Sequence, residues 1–290
     1  MFLNQTTYSV GSGPMSVAVV DVNNDNKPDI VVANQGDATV GVLLNAGNGI
    51  FTAQTTYSAN QPYSVVVVDV NSDNKPDIVV ANSASSTVGV LLNTGSGTFN
   101  AQTTYSVGGS PMSVAVVDVN SDNKPDIVVA NYESDNVGVL LNTGNGIFNA
   151  QATYSVGNSP QAVAVIDVNS DNKPDIIVAN TYANNVSVLL NAGNGTFNAQ
   201  TTYAVGIYPL SITVVDVNSD NKPDIVVVNM VSSTVGVLLN TGNGNFNDQT
   251  TYSVGSSPWS VAVVDVNSDN KPDIIVANYD SNTTSVLFHC

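Results

Sequence analysis

Six times along this chain, oxygen-bearing side chains alternate over nine residues. The first stretch reads DVNNDNKPD from Asp21 to Asp29, and the other five read DVNSDNKPD. Position one is Asp21, Asp69, Asp118, Asp167, Asp216 and Asp265. Position three is Asn23, Asn71, Asn120, Asn169, Asn218 and Asn267, and position five is Asp25, Asp73, Asp122, Asp171, Asp220 and Asp269. Position nine is Asp29, Asp77, Asp126, Asp175, Asp224 and Asp273. A hard cation such as calcium takes about 6–8 oxygens, which alternate residues of a tight loop can supply. The lysines at position seven, Lys27, Lys75, Lys124, Lys173, Lys222 and Lys271, are expected to offer a backbone carbonyl while the ammonium points to solvent. Asn26, at position six, tolerates the positive φ that a sharp turn requires.

An EF-hand would place Glu at position twelve between two helices. Position twelve here is valine, as at Val32 and Val80, and the flanks are β-branched. The loop must join two strands, with the position-nine Asp expected to bind in a bidentate way. Magnesium suits a set this large and flexible less well. Turns favour Asp and Asn in any case, but a turn that binds nothing has no need of three mutually repelling carboxylates in nine residues.

The charge balance agrees. Acidic residues number 23 against 6 lysines and no arginine, for a formal net charge of −17. The loops hold 18 of those acids, so six calcium ions would bring −17 to −5. This sign argues against nucleic acid and anionic membrane surfaces. Catalysis finds little material. All six lysines sit in the loops, the one histidine is His289, and the one cysteine is Cys290. No nucleophile–base pair can be assembled from these. Glu133 and Asp135 are the one candidate carboxylate pair for glycoside hydrolysis, and two acids in a short connection more often mark a solvated loop. The chain is read as not an enzyme.

The elements that position the loops follow from repetition. The position-one aspartates are spaced 48, 49, 49, 49 and 49 residues apart. That period fits a four-stranded propeller blade. In the second unit, Ser64 to Val70 reads as a strand buried on both faces, followed by Asp77 to Ala81, Thr87 to Leu92 and a more polar Phe99 to Val107. No helical period is sustained. The 12 prolines fall at two repeat positions, before the first strand and inside the acidic loop. The predicted fold is an all-β, six-bladed β-propeller with four antiparallel strands per blade. It forms one domain over residues 1–290, with residues 1–10 completing the sixth blade. No apolar run approaches the ~20 residues of a membrane helix. The opening residues lack the basic start and apolar stretch of a signal peptide.

The repeat resembles the FG-GAP/VCBS family, whose blades carry a calcium loop of the form DxDxDGxxD between their first two strands. It is similar to integrin α-subunit propellers and to lectin- and adhesin-type members. Phe51, Phe99, Phe148, Phe197 and Phe246, each shortly after a glycine, match the family's FG element loosely. The chain departs from the pattern at position three (Asn for Asp), at position six (Asn for Gly), and in having six units where integrin propellers have seven. The resemblance implies up to six structural calcium ions, one per blade, at the loop residues named above.

The units differ mainly after the first proline and between strands two and three. Strand alternation puts both places on the face opposite the loops. Tyr63, Tyr132, Tyr182, Tyr208, Trp259 and Tyr279 lie there, as do Asp37, Glu133, Asp135 and Asp280. These six aromatics are the candidate ligand-binding residues, suited to stacking on a glycan or gripping a protein. The bland alternative is that they plug the central channel or decorate loops under weak constraint. The functional expectation is an extracellular recognition or adhesion module, monomeric and part of a longer protein. The alternatives are a purely structural repeat, or a non-catalytic module of a larger carbohydrate-active enzyme.

Overall fold

The computed structural model describes residues 5–289. Each unit folds as its hydrophobic pattern dictates. In the second unit, Pro62–Val68, Asp77–Asn82, Thr87–Leu91 and Thr103–Ser106 form one antiparallel sheet in sequence order. What reads as one long outer strand divides in two. Thr98–Phe99 pairs with Asn93–Gly95 in a small hairpin, and only Thr103–Ser106 joins the main sheet. Five such four-stranded sheets are present, and a sixth of three strands comprises Pro258–Val264, Asp273–Asn278 and Thr283–Leu287. Among the described residues, helix is confined to two short 3-10 turns, Ser83–Ser85 and Tyr132–Ser134.

The deeply buried strand is the second of each unit, not the first. Asp77–Asn82 is buried at every position, whereas Pro62–Val68 is half-buried along most of its length. The reason is packing between units. Alternate residues of a strand face opposite sides. Ile78 and Val80 pack toward the first unit with Val31 and Ala33, while Val79 and Ala81 pack toward the third with Ile127 and Val129. The first strands sit innermost. Each packs on the next, from Pro14–Val20 through to Pro258–Val264, so one edge is left toward the common axis. Five such cores join the six units in series.

The two ends of the series remain open. Val17 of the first unit is 62% exposed, whereas its counterpart Val65 in the second is 5% exposed. The expected completion of the sixth blade by residues 1–10 is not seen in the described structure. Residues 5–10 form no strand, and the sixth sheet ends at Thr283–Leu287. Residues 1–4 lie outside the described residues. Elsewhere a covalent hairpin holds the fourth strand against the third, and no hairpin joins Leu287 to residues 5–10. No helix among the described residues is long and apolar enough to cross a membrane.

Candidate functional site

The acidic loops join the first and second strands on one face of the array. Their curl comes from two left-handed residues each. In the first loop these are Asn24 and Asn26, with φ of 60° and 62°. Position six was legible from its asparagine. Position four, which is serine in the other five loops, was not. The side-chain oxygens organise the backbone as a ladder of Asx turns. Asp21 accepts amide hydrogens from Asn23, Asp25 and Asn26, Asn23 accepts from Asp25, and Asp25 accepts from Lys27.

Position nine behaves differently. Asp29 is wholly buried, and its two oxygens accept the amides of Val22 at 2.9 Å and Asn45 at 2.7 Å. Burial pushes Asp77 and Asp126 up to about 6, and the nearby charges at positions one and five act in the same direction. The lysine also departs from expectation. The Lys27 side chain stays solvent-accessible, but its Nζ folds back to 3.1 Å from Asp25, and four other loops repeat the pair. That hydrogen bond holds Asp25 below its usual range. The ammonium is the nearest positive charge to a cluster of carboxylates. The partners are solvent-accessible, so the pair is worth little.

Positions one, three, five and seven are thus gathered in each loop, and position nine is turned into the fold. Among the described residues, no three acidic side chains close on one point. The donor set still fits calcium in kind. The oxygens are hard and the loop is already curled; Asp25 Oδ1 accepts one amide and keeps a second lone pair, whereas Asp21 Oδ1 accepts two amides that a cation would have to displace.

The opposite face carries the variable residues. There, the segment before each first strand bonds to the connection between strands two and three. In the third unit, Tyr132 donates its amide to Ser110 and Glu133 donates to Gly109. Both variable segments therefore share one face. The six aromatics divide into three groups. Tyr63 turns inward, into an axial cavity of about 290 Å³ that it shares with Met15, Met112, Gln161, Leu210 and Trp259. Its hydroxyl accepts a hydrogen bond from Gln161 at 3.0 Å, across the cavity. Burial raises its pKa. Tyr132, Tyr182 and Tyr208, from three successive units, form a cluster with ring centroids 6.2 and 5.4 Å apart along the row. Tyr182 in the middle is 58% exposed. The neighbouring hydroxyls of Tyr208 and Tyr132 lower the pKa of its own. Trp259 and Tyr279 pair at 6.0 Å near the open end.

The acids of this face are mostly engaged in holding loops. Asp37 accepts the Ser12 amide, Asp135 accepts the Ser159 amide and the Asn158 side chain, and Asp280 accepts the Ser257 hydroxyl. Asn184 caps the Tyr208 amide in the same way as Asp135 caps Ser159. These roles were not legible, because an acid in a variable loop reads alike whether it faces a ligand or a backbone amide.

The FG-GAP-like repeat pattern matches five overlapping stretches, residues 21–80, 69–129, 118–178, 167–227 and 216–276. No curated protein sequence matches the chain. Among solved structures, a streptogramin B lyase aligns with a TM-score of 0.65 at 14% identity, covering 97% of this chain and 84% of that one. An Agrocybe aegerita lectin that recognises non-reducing terminal N-acetylglucosamine aligns with a TM-score of 0.60 at 21% identity, covering 90% and 73%. BBS1N, crystallised in complex with ARL6DN, aligns with a TM-score of 0.64 at 15% identity, covering 93% and 77%. At these identities the likeness is one of fold alone, and it is a propeller-like fold. The five repeat matches run without a gap from Asp21 to Val276, and on that ground the chain belongs to the FG-GAP-like repeat family.

Proposed function

We propose that the protein is a non-enzymatic, calcium-binding recognition or adhesion module with six blades, acting outside the cell. Calcium at the acidic loops serves structure: each ion offsets two of the three carboxylate charges of its loop, and its binding energy becomes folding energy. Loops of modest affinity suit the extracellular medium, where calcium is abundant.

The ligand, a glycan or a protein, docks on the opposite face. The observation that carries this reading is the tyrosine row Tyr132–Tyr182–Tyr208, drawn from three units and exposed at its centre. Exposed aromatic rings offer flat apolar area with a polar edge, which suits sugar faces and protein hot spots alike. Tyr63 belongs to the axial plug instead. Asp135 is held by Ser159 and Asn158, which leaves Glu133 without a free carboxylate partner in its own connection.

A glycan array run beside a pull-down from extracellular protein tests the reading. Signal on either, lost in Tyr182→Ala, is the expected result. Binding that survives both Tyr182→Ala and Tyr132→Ala would remove the tyrosine row from the account.

A further inference from the structure

Each acidic loop carries its own counter-ion. The chain has six lysines and no arginine, and one lysine stands at position seven of every loop. Three aspartates and one lysine leave a loop with a charge of −2, which one divalent cation cancels. In five loops the lysine grips the position-five aspartate with two groups at once. The Lys75 amide donates to Asp73 Oδ1 at 3.0 Å, and its ammonium lies 3.2 Å from Asp73 Oδ2. Lys27, Lys124, Lys173 and Lys222 hold Asp25, Asp122, Asp171 and Asp220 in the same way. Both oxygens of the aspartate are thus engaged by one residue. A hairpin glycine leaves room for the lysine stem in three units. There the lysine Cε lies 3.6–3.9 Å from where a Cβ on Gly47, Gly95 or Gly144 would stand.

The sixth loop separates the two grips. The Lys271 amide still donates to Asp269 Oδ1, at 2.9 Å. Asp269 Oδ2, however, accepts the Asn267 side-chain amide at 3.0 Å, and no ammonium pair with Lys271 forms among the described residues. The curl of the loop survives: Asp265 accepts the amides of Ser268, Asp269 and Asn270 as in the other loops. The ammonium is therefore not needed to shape the loop. What it supplies is positive charge beside the carboxylates, which is what a bound cation would supply. Lysine suits that part, being a compact charge on a flexible stem that can leave without moving the backbone.

We propose that the position-seven lysine is a tethered competitor for the cation: its ammonium holds the position-five carboxylate while the loop is empty and leaves it when calcium enters. The inference rests on the calcium reading above. An exposed pair of this kind lowers the population of open carboxylate by about two- to fivefold, and calcium affinity falls by the same factor in each of five loops. The sixth loop is free of that competition.

Amine acetylation tests it, with Lys271 as the internal reference, because only an unpaired, neutral amine reacts. Chelated and calcium-saturated protein are acetylated with limiting reagent, each lysine is followed by peptide mass spectrometry, and calcium uptake is measured on the same sample by equilibrium dialysis. Without calcium, the five paired lysines are expected to react about two- to fivefold more slowly than Lys271. With calcium, the gap is expected to close. Equal rates for all six lysines in folded, chelated protein would overturn the competitor role. So would uptake of calcium with the gap unchanged, which would leave the calcium reading standing. No uptake at all would overturn both. A second measurement does not need the empty protein: in competition with a chelator, Lys124→Gln is expected to tighten calcium binding at its loop about two- to fivefold more than Lys271→Gln does at its own. Equal effects would overturn the inference.

Discussion

The carboxylate of Asp126 lies 2.8 Å from the backbone amide of Asn142, and this bond ties an acidic loop to the hairpin sixteen residues on. The other oxygen of Asp126 accepts the amide of Val119 at 3.0 Å. One buried side chain therefore fixes both ends of the loop and the hairpin that seats in the preceding unit. Position nine is a structural residue whatever else it binds.

Removing it should be costly even without metal. Asp126→Ala strands two buried amides and is expected to cost about 2–4 kcal/mol in urea denaturation of chelator-treated protein. Asp122→Ala, at an exposed position of the same loop, is expected to stay within about 0.5 kcal/mol under those conditions. Equal effects would contradict the division of labour between positions five and nine.

The tyrosine row and the axial plug should separate by readout. Tyr182→Ala is expected to leave stability within about 0.5 kcal/mol, because the ring is 58% exposed, while abolishing ligand binding. Loss of binding together with a large loss of stability would mean that the ring supports the loops and does not face a ligand.

Tyr63→Phe deletes the hydroxyl that accepts from Gln161. The expected cost is about 1 kcal/mol in thermal or urea unfolding, with ligand binding intact. A loss of binding would return the axial cavity to the ligand site.

Most of the fold could be read from the sequence, because a period of about 49 residues and β-branched runs leave few alternatives to stacked four-stranded sheets. The burial order was not readable. Ser64 to Val70 and Asp77 to Ala81 are similarly apolar, and only the packing of one unit on the next shows that the second strand is the enclosed one. The loops were readable as curled and oxygen-rich. The inward turn of Asp29 was not, because its partner, the Asn45 amide, belongs to a hairpin whose proximity is a property of the assembled blade. Tyr63 and Tyr182 occupy equally variable segments, and nothing local tells that one plugs the axis while the other faces out.

The central claim is that the acidic loops are calcium sites that stabilise the fold, and calorimetric titration of chelator-stripped protein with calcium, alongside a thermal melt, tests it most directly. The account predicts saturation near six ions per chain and a rise in Tm of at least about 10 °C at saturating calcium. No uptake, with an unchanged melting curve, would contradict it.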